Sequence, residues 1–213
     1  MGIRARHLSV LAVLGLCLSL TVGDAAARDR LGYTEVILEG GAVSPEGDLG
    51  ASYDTPAGFG SDIGFEVGAR VRQRMRNGWA IAPSFHYAEF GNHSGVTPSD
   101  MLFEAKTSTY RYGVDLQYFF PASRGAPRLF LTGGASLIRN RYREDYLDDG
   151  SYFADGVNTV ALSGGVGLEV GDFEVSAQYH RNRFDTVRFF DGSTDYDWDY
   201  ISLRVGFALP SSY

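Results

Sequence analysis

The chain has 213 residues, a length that suits one domain, and a formal net charge of −7. This acidic balance argues against a nucleic-acid partner, because phosphate binding requires a clustered cationic surface. The only cysteine, Cys17, lies in the N-terminal segment described next, so the rest of the chain can form neither a disulfide nor a cysteine-based metal site.

Residues 1–27 have the three parts of a secretory signal peptide. Two arginines precede an apolar run from Leu8 to Val22, and three consecutive alanines ending at Ala27 supply small residues for cleavage. The run is shorter than the roughly 20 apolar residues of a membrane-spanning helix. We therefore expect export, cleavage after Ala27 and one mature domain over residues 28–213.

Hydrophobic and polar side chains alternate along much of the remaining chain, as they do in strands with two unlike faces. The segment from Ile63 to Arg72 shows the pattern best. Phe65 and Val67 share one face, whereas Glu66 and Arg70 share the other. The pattern predicts eight strands, at about residues 33–42, 63–72, 79–87, 109–120, 128–138, 160–169, 173–180 and 201–209. Most exceed the roughly five or six residues of an average strand and approach the 9–11 that cross an outer membrane at a tilt.

The predicted connections alternate between short and long. Short turns are expected at residues 73–78, 121–127 and 171–172, and long loops at about residues 45–62, 91–106, 139–156 and 185–199. This alternation is typical of outer-membrane barrels, which have short periplasmic turns and longer extracellular loops. The fold class predicted is therefore all-β, an eight-stranded antiparallel up-and-down transmembrane β-barrel. Aromatic side chains near strand ends are expected at the membrane boundaries, namely Tyr33, Trp79, Tyr118, Phe120, Phe173, Trp198 and Tyr200.

In such a barrel the apolar face of each strand contacts lipid and the polar face points into the lumen. Eight strands enclose a lumen just wide enough to be filled by side chains, and buried charges are tolerated there only when they are paired. We predict a structural polar network that plugs the lumen, formed by Glu66, Arg70, Arg111, Asp115, Glu169, Glu174, Gln178 and Arg204. The alternative is a soluble β-sandwich or lipocalin-like barrel, in which the apolar face points inward.

These features resemble the small eight-stranded outer-membrane barrels of the OmpA-like, OmpX-like and opacity-type group. The resemblance covers residues 28–213 and rests on the signal peptide, the amphipathic strands, the alternating connections and the last strand. In that strand Arg204, Gly206 and Leu209 match the segment that the barrel-assembly machinery reads, whereas Pro210 to Tyr213 depart from it. The resemblance implies an architecture, localisation in the bacterial outer membrane and assembly by that machinery, but no particular activity.

Neither catalysis nor a metal or cofactor site is predicted. The three histidines after residue 27, His86, His93 and His180, occur singly and form no HExxH or paired spacing. A barrel of the lipid A deacylase type pairs a histidine with a serine two residues later, but Asn182 stands there after His180. A Ser–His–acid group assembled from distant segments is left open.

The functional hypothesis is a structural or surface-interaction protein whose loops mediate adhesion or contact a host factor, lipopolysaccharide or another extracellular ligand, with outer-membrane lipids around the barrel. A small channel and, less favoured, a lipid A-modifying enzyme are the alternatives. Arg139, Arg141 and Arg143 alternate on one face of the chain. They could reach lipid phosphates at the outer boundary or pair with neighbouring carboxylates.

Overall fold

The structure is a computed structural model that describes residues 32–52, 58–96, 100–123, 125–186 and 194–209. The predicted signal peptide and the C-terminal residues 210–213 lie outside the described residues, so export and cleavage remain predictions. No helix in the described ranges is long and apolar enough to cross a membrane.

Almost every described element is a β-strand. The strands are β1 (Thr34–Pro45), β2 (Asp62–Arg74), β3 (Trp79–Gly91), β4 (His93–Val96), β5 (Leu102–Phe119), β6 (Arg128–Tyr146), β7 (Tyr152–Val170), β8 (Phe173–Arg181), β9 (Arg183–Thr186), β10 (Thr194–Asp197) and β11 (Tyr200–Leu209). One short helix, α1 (Gly47–Gly50), follows β1.

The main sheet closes on itself. Its strands follow the order β3-β2-β1-β11-β8-β7-β6-β5-β4, and β3 also pairs with β5. Both β3 and β4 pair antiparallel with β5, so together they form one barrel strand that is interrupted at Asn92. Every pairing is antiparallel, which confirms the eight-stranded antiparallel barrel. Closure matters because a sheet edge in hydrocarbon would leave backbone N–H and C=O groups unpaired.

The turns at one end of the barrel are tight. Gly78 and Gly171, each in a short predicted turn, adopt φ angles of 86° and 61°. Such angles strain residues that carry a Cβ. Between β7 and β8 only Gly171 and Asp172 form the connection, as the sequence predicts.

The wall is taller on one side than the sequence predicts. Strands β5, β6 and β7 contain 18, 19 and 19 residues, whereas β8 and β11 contain 9 and 10. The predicted loop at 139–156 is wrong. Most of it is a β-hairpin, because β6 and β7 are paired continuously from Arg128↔Glu169 to Asp145↔Tyr152. The loop at 91–106 is wrong in part for the same reason, since β4 pairs with the first residues of β5. Polar residues form these extensions, so the composition of the segment indicated a loop although the ladder continues.

The two faces of the wall have opposite chemistry. Val67, Val114, Leu116, Leu203 and Val205 are exposed on the outside, with about half of each residue's surface accessible. The charged residues at the alternate positions of the same strands are buried on the inner face of the barrel. The soluble alternative, with an apolar interior along the strands, is therefore wrong.

Aromatic side chains mark the turn end of the outer face. The rings of Trp79 and Tyr118 lie 5.0 Å apart, and those of Phe173 and Phe207 lie 5.1 Å apart. Two members of the predicted boundary set are placed wrongly. Trp198 and Tyr200 are fully buried within the barrel. Tyr200 shares the inward parity of Ser202 and Arg204 on β11.

Candidate functional site

The turn end of the lumen is closed by two arginines from β2. Arg72 contacts the carboxylates of Glu35 and Glu169 at 2.6 and 3.0 Å. Arg74 pairs with the same two carboxylates and stacks its guanidinium 4.2 Å from the centre of the Phe119 ring. Because each charge faces an opposite charge or an aromatic ring, this layer satisfies the condition for burying ions.

The middle of the lumen holds a second ionic layer centred on Glu39. Its carboxylate lies 3.4 Å from Arg70 and 3.7 Å from Arg204. The ring nitrogen Nε2 of His86 lies 2.7 Å from the same carboxylate, at hydrogen-bond distance. Glu174 links the two layers, because it pairs with Arg70 and lies 2.8 Å from Arg72.

Glu66 extends this middle layer toward β5. Arg111 donates a hydrogen bond of 2.9 Å to Glu66, and Arg204 lies 3.6 Å from the same oxygen. Seven of the eight barrel strands therefore contribute to one connected set of charges, namely β1, β2, β3, β5, β7, β8 and β11. Such a set ties the strands together across the lumen rather than only along their edges.

The structure places all eight predicted lumen residues on the inner face, with Glu169 the most accessible among them. It brings six into the ionic layers: Glu66, Arg70, Arg111, Glu169, Glu174 and Arg204. The other two have neutral hydrogen-bond partners. Asp115 accepts from Ser163 at 3.4 Å, and Gln178 donates to Thr132 at 3.4 Å. The stabilising role of the whole set stays a prediction.

The predicted set omits Glu35, Glu39, Arg72, Arg74 and His86, although all five take part in the layers. Glycines in β1 blur the alternation that would have placed Glu35 and Glu39 inward. Arg74 continues the inward series of Arg70 and Arg72, but the sequence assigned it to a turn. Extending the parity of β2 by two residues would have found it.

The loop end of the lumen is filled by aromatic side chains rather than ions. The Phe59 ring packs edge-on against Trp198, Tyr142 and Tyr196, with centroid distances of 4.8, 5.4 and 5.4 Å. We call this group and its buried neighbours the aromatic plug; its members are Val43, Leu49, Phe59, Ala88, Phe90, Phe103, Ala105, Tyr142, Tyr196, Trp198 and Tyr200.

Two loops hold the aromatic plug in place. The backbone N–H of Phe59 donates to the carbonyl of Asp48 at 3.0 Å, which holds Phe59 beside α1. The Asp48 carboxylate accepts the N–H of Asp197 at 2.8 Å and so joins the first loop to the last. The sequence missed this region because loop residues carry no periodic pattern.

One serine–histidine pair does form inside the lumen. The His180 ring nitrogen Nε2 lies 3.0 Å from Ser202 Oγ, and the ring stacks on Tyr200 at 4.4 Å. No hydrogen-bond partner lies at the other ring nitrogen in the described part of the chain. Both side chains have 0% of their surface exposed. Within the described ranges, no carboxylate contacts the histidine ring as the acid of a triad does. The described residues also contain no cluster of three His, Cys, Asp or Glu side chains able to hold a metal ion.

A basic stripe lies on the outside of the tall wall. We define it as Lys106 on β5 and Arg139, Arg141 and Arg143 on β6. Lys106 and Arg143 are register partners. Asp145 lies 2.6 Å from Arg143 and, by hydrogen bonding, raises the pKa of that guanidinium.

The other positive charges of the stripe are less closely paired with carboxylates than Arg143. Lys106 lies 3.6 Å from Glu104. Arg141 lies 5.9 Å from the centre of the Tyr110 ring. Across the described ranges neither Arg139 nor Arg141 forms an ion pair, so two positive charges remain available on the outer surface. Of the two sequence-based readings, carboxylate pairing therefore holds for Arg143 but not for Arg139 or Arg141.

Comparison with known proteins agrees with this architecture. The family model described as outer membrane protein β-barrel domain matches residues 10–208. The structure of Ail from Yersinia pestis in complex with the heparin analogue sucrose octasulfate has a TM-score of 0.51 at 12% identity, covering 83% of this chain and 97% of Ail.

Two further solved structures are similar. Neisserial surface protein A (NspA) has a TM-score of 0.48 at 16% identity, covering 84% of this chain and 97% of NspA. OprG from Pseudomonas aeruginosa has a TM-score of 0.44 at 12% identity, covering 84% of this chain and 97% of OprG. A comparison with curated protein sequences finds no match.

The match to the family model spans nearly the whole chain, and the barrel geometry agrees with it. The predicted family and the predicted localisation in the bacterial outer membrane are thereby confirmed. The chain belongs to the outer membrane protein β-barrel domain family.

Proposed function

We propose that the protein is a surface barrel with a closed lumen, which holds its tall extracellular wall and loops at the cell surface. The observation that carries this proposal is the filling of the lumen at both ends. Ion pairs occupy the turn end and the middle, whereas the aromatic plug occupies the loop end. A solute would have to break both to pass.

A planar lipid bilayer experiment tests the closed lumen. We expect the purified protein to give no steady current above that of the protein-free bilayer, while an open porin in the same chamber conducts. Stable, salt-dependent openings would instead support a small channel.

The basic stripe supports a contact with lipopolysaccharide as part of this function. It lies on the lipid-facing side of β5 and β6, directly beyond the apolar band that ends at Leu137, which is 62% exposed. Residues 129–137 of β6 alternate apolar or small side chains outward over about the length that crosses a membrane. The stripe therefore stands at the level of the outer headgroups, where guanidinium groups bind phosphate.

Titration of the protein in phospholipid nanodiscs with purified lipopolysaccharide tests this contact. The double variant Arg139→Gln/Arg141→Gln is expected to bind about thirtyfold more weakly, from about 1 kcal/mol for each basic residue near an anionic surface. Arg183→Gln is the matched control, because Arg183 is also an exposed arginine but is paired with Asp197 at 2.8 Å. A loss in Arg183→Gln of about half the double variant's binding free energy, and therefore equal for each charge removed, would mean that only net charge matters.

Sucrose octasulfate serves as a soluble probe of the same stripe. The solved structure of Ail contains this polyanion. For this chain we expect it to compete with lipopolysaccharide, and to compete less well against the double variant.

Assembly by the barrel-assembly machinery is the remaining part of the proposal. Strand β11 ends the barrel with Phe207 and Leu209 exposed on the outside, which is the pattern of hydrophobic residues expected for a recognised last strand.

A further inference from the structure

The lipid-facing wall carries a groove near its turn end. The groove has a volume of about 380 Å³ and opens outward, away from the lumen. Its lining residues are Trp79 from β3, Leu116 and Tyr118 from β5, and Leu131, Thr132 and Gly133 from β6. Large side chains are exposed next to it, such as Ile81, the register partner of Leu116, and Val166, the register partner of Leu131.

One lining residue, Gly133, faces a second glycine on the neighbouring strand. Gly133 on β6 is the register partner of Gly164 on β7. A Cβ added to Gly164 would meet no atom within 4 Å, and one added to Gly133 would meet only the Ser163 carbonyl at 3.6 Å. Neither position therefore requires glycine for packing or for backbone conformation.

The inward glycines of the same strands are different. A Cβ at Gly134 would collide with Asp115, one at Gly165 with the backbone of Ala177, and one at Gly167 with the ring of Phe130. The inner glycines make room for the contents of the lumen. The outer pair, in contrast, only removes side-chain volume from the surface that faces lipid.

The chemistry of the groove selects its occupant. Leu116 and Leu131 offer apolar walls along its length. Trp79, Tyr118 and the adjacent Phe120 form a row of rings at the turn end, with Tyr118 and Phe120 5.2 Å apart. Rings of this kind lie at the level of the lipid headgroups.

The groove is also continuous with the surface that contacts lipid. An occupant should therefore be a flexible apolar chain that enters from the bilayer, with its polar head beside the aromatic rings at the turn end. We propose that the groove binds one acyl chain of a glycerophospholipid in the periplasmic leaflet and holds that lipid more tightly than the surrounding bilayer lipids.

Native mass spectrometry of the barrel in detergent tests this site. The protein is extracted from vesicles of phosphatidylethanolamine and phosphatidylglycerol and diluted stepwise. We expect one phospholipid to stay bound to the parent protein. In Gly133→Leu the new side chain displaces at least two methylenes of the acyl chain, which lowers retention about tenfold or more.

Gly40→Leu is the matched control. Gly40 on β1 is another outward position where a Cβ meets only a carbonyl oxygen at 3.8 Å, but it lies away from the groove. This variant should retain phospholipid like the parent. Folding of all three proteins is checked by their migration on gels without and with boiling.

Fluorescence quenching gives a second measurement in vesicles. Trp79 lines the groove, whereas Trp198 is buried in the aromatic plug, so a brominated acyl chain should quench Trp79 alone. Quenching is expected at lower mole fractions of brominated lipid in the parent than in Gly133→Leu.

Several outcomes would overturn the proposal. These are a parent protein that retains no phospholipid, a Gly133→Leu variant that retains as much as the parent, or an equal loss in Gly40→Leu. A Gly133-dependent dimer without bound lipid would assign the groove to a second copy of the chain. None of these results bears on whether the lumen is closed, so the proposed function is tested separately.

Discussion

The two ends of the lumen are closed by opposite kinds of chemistry. Toward the turns, charged side chains such as Glu39 and Arg72 emerge from long strands and pair across the barrel. Toward the loops, aromatic rings pack around Phe59, which comes from a connection between strands. The charged end is therefore formed by strand residues alone, whereas the aromatic end combines strand residues such as Tyr142 with residues of the connections such as Phe59.

This difference implies two kinds of stability. A buried charge that loses its partner leaves an uncompensated ion, and the strands on both sides of the lumen depend on it. The members of the aromatic plug that lie in connections, such as Phe59 and Trp198, can move away locally while the strands stay paired. Damage to the charged end should therefore unfold the barrel, and damage to the aromatic end should open only the loops.

The largest effect is expected at the charged end. Glu39→Ala removes the carboxylate shared by Arg70, Arg204 and His86. We expect a loss of about 3–5 kcal/mol in the free energy of unfolding, the range for breaking a buried ion pair. Urea titration of the barrel in lipid vesicles measures it.

An exposed glutamate provides the control for this experiment. Glu104 lies 3.6 Å from Lys106, and both side chains are partly exposed to water. Glu104→Ala should change the free energy of unfolding by less than about 1 kcal/mol. If Glu39→Ala changed it no more than this, the ionic layers would not hold the strands together.

The next effect tests whether charge is tolerated only on the inner face. Val114 lies on β5 near Arg111, but its side chain faces lipid and is 48% exposed. Val114→Arg is expected to lower the free energy of unfolding by about 2–4 kcal/mol, because it puts a charge at mid-bilayer. Folding into vesicles, followed on gels with and without boiling, measures this loss of stability. Val114→Thr should lower the free energy of unfolding much less. An arginine variant as stable as the parent would mean that this face does not contact lipid.

A smaller effect on global stability is expected at the aromatic end. In Phe59→Ala the rings of Tyr142, Tyr196 and Trp198 lose a common neighbour. Truncating a buried phenylalanine costs about 3–5 kcal/mol, but here we expect most of it to appear as local opening of the loop. Proteolysis of residues 46–61 in the folded protein should accelerate strongly, while the urea midpoint shifts little. A shift as large as that of Glu39→Ala would remove the distinction between the two ends.

The same distinction decides what the sequence could predict. Residues such as Arg70, Arg111 and Arg204 lie on strands, where the period of two assigns each side chain to the lumen or to lipid. Phe59 and Trp198 lie in connections, where no period exists, and their burial follows from how two loops meet. Glu39 was missed although it lies on a strand, because adjacent Gly40 and Gly41 hide the alternation.

The alternation of apolar and polar residues also could not predict the height of the wall. Beyond Leu137 the outward residues of β6 become charged, so apolar alternation ends although the hydrogen-bonded ladder continues to Tyr146. Alternation of hydrophobicity reports the part of a strand in contact with lipid. It does not report where the strand stops, since a ladder in water needs no apolar face.

The smallest effect is expected at the tip of the tall wall, where a carboxylate acts in water rather than in the lumen. Asp149 accepts hydrogen bonds from the Ser151 backbone N–H at 2.9 Å and from its hydroxyl at 2.6 Å. These bonds lower the pKa of Asp149 below its ordinary value of 3.8. A lowered pKa means that the ionised form favours the folded turn. The turn should therefore keep its full stability above the ordinary carboxyl pKa and lose the contribution as the pH falls through the lowered pKa. Titration of the Ser151 amide resonance by NMR measures the midpoint, and in Asp149→Asn this pH dependence should vanish while the unfolding midpoint of the barrel stays unchanged. A midpoint at or above 3.8 would show that the turn does not prefer the ionised carboxylate.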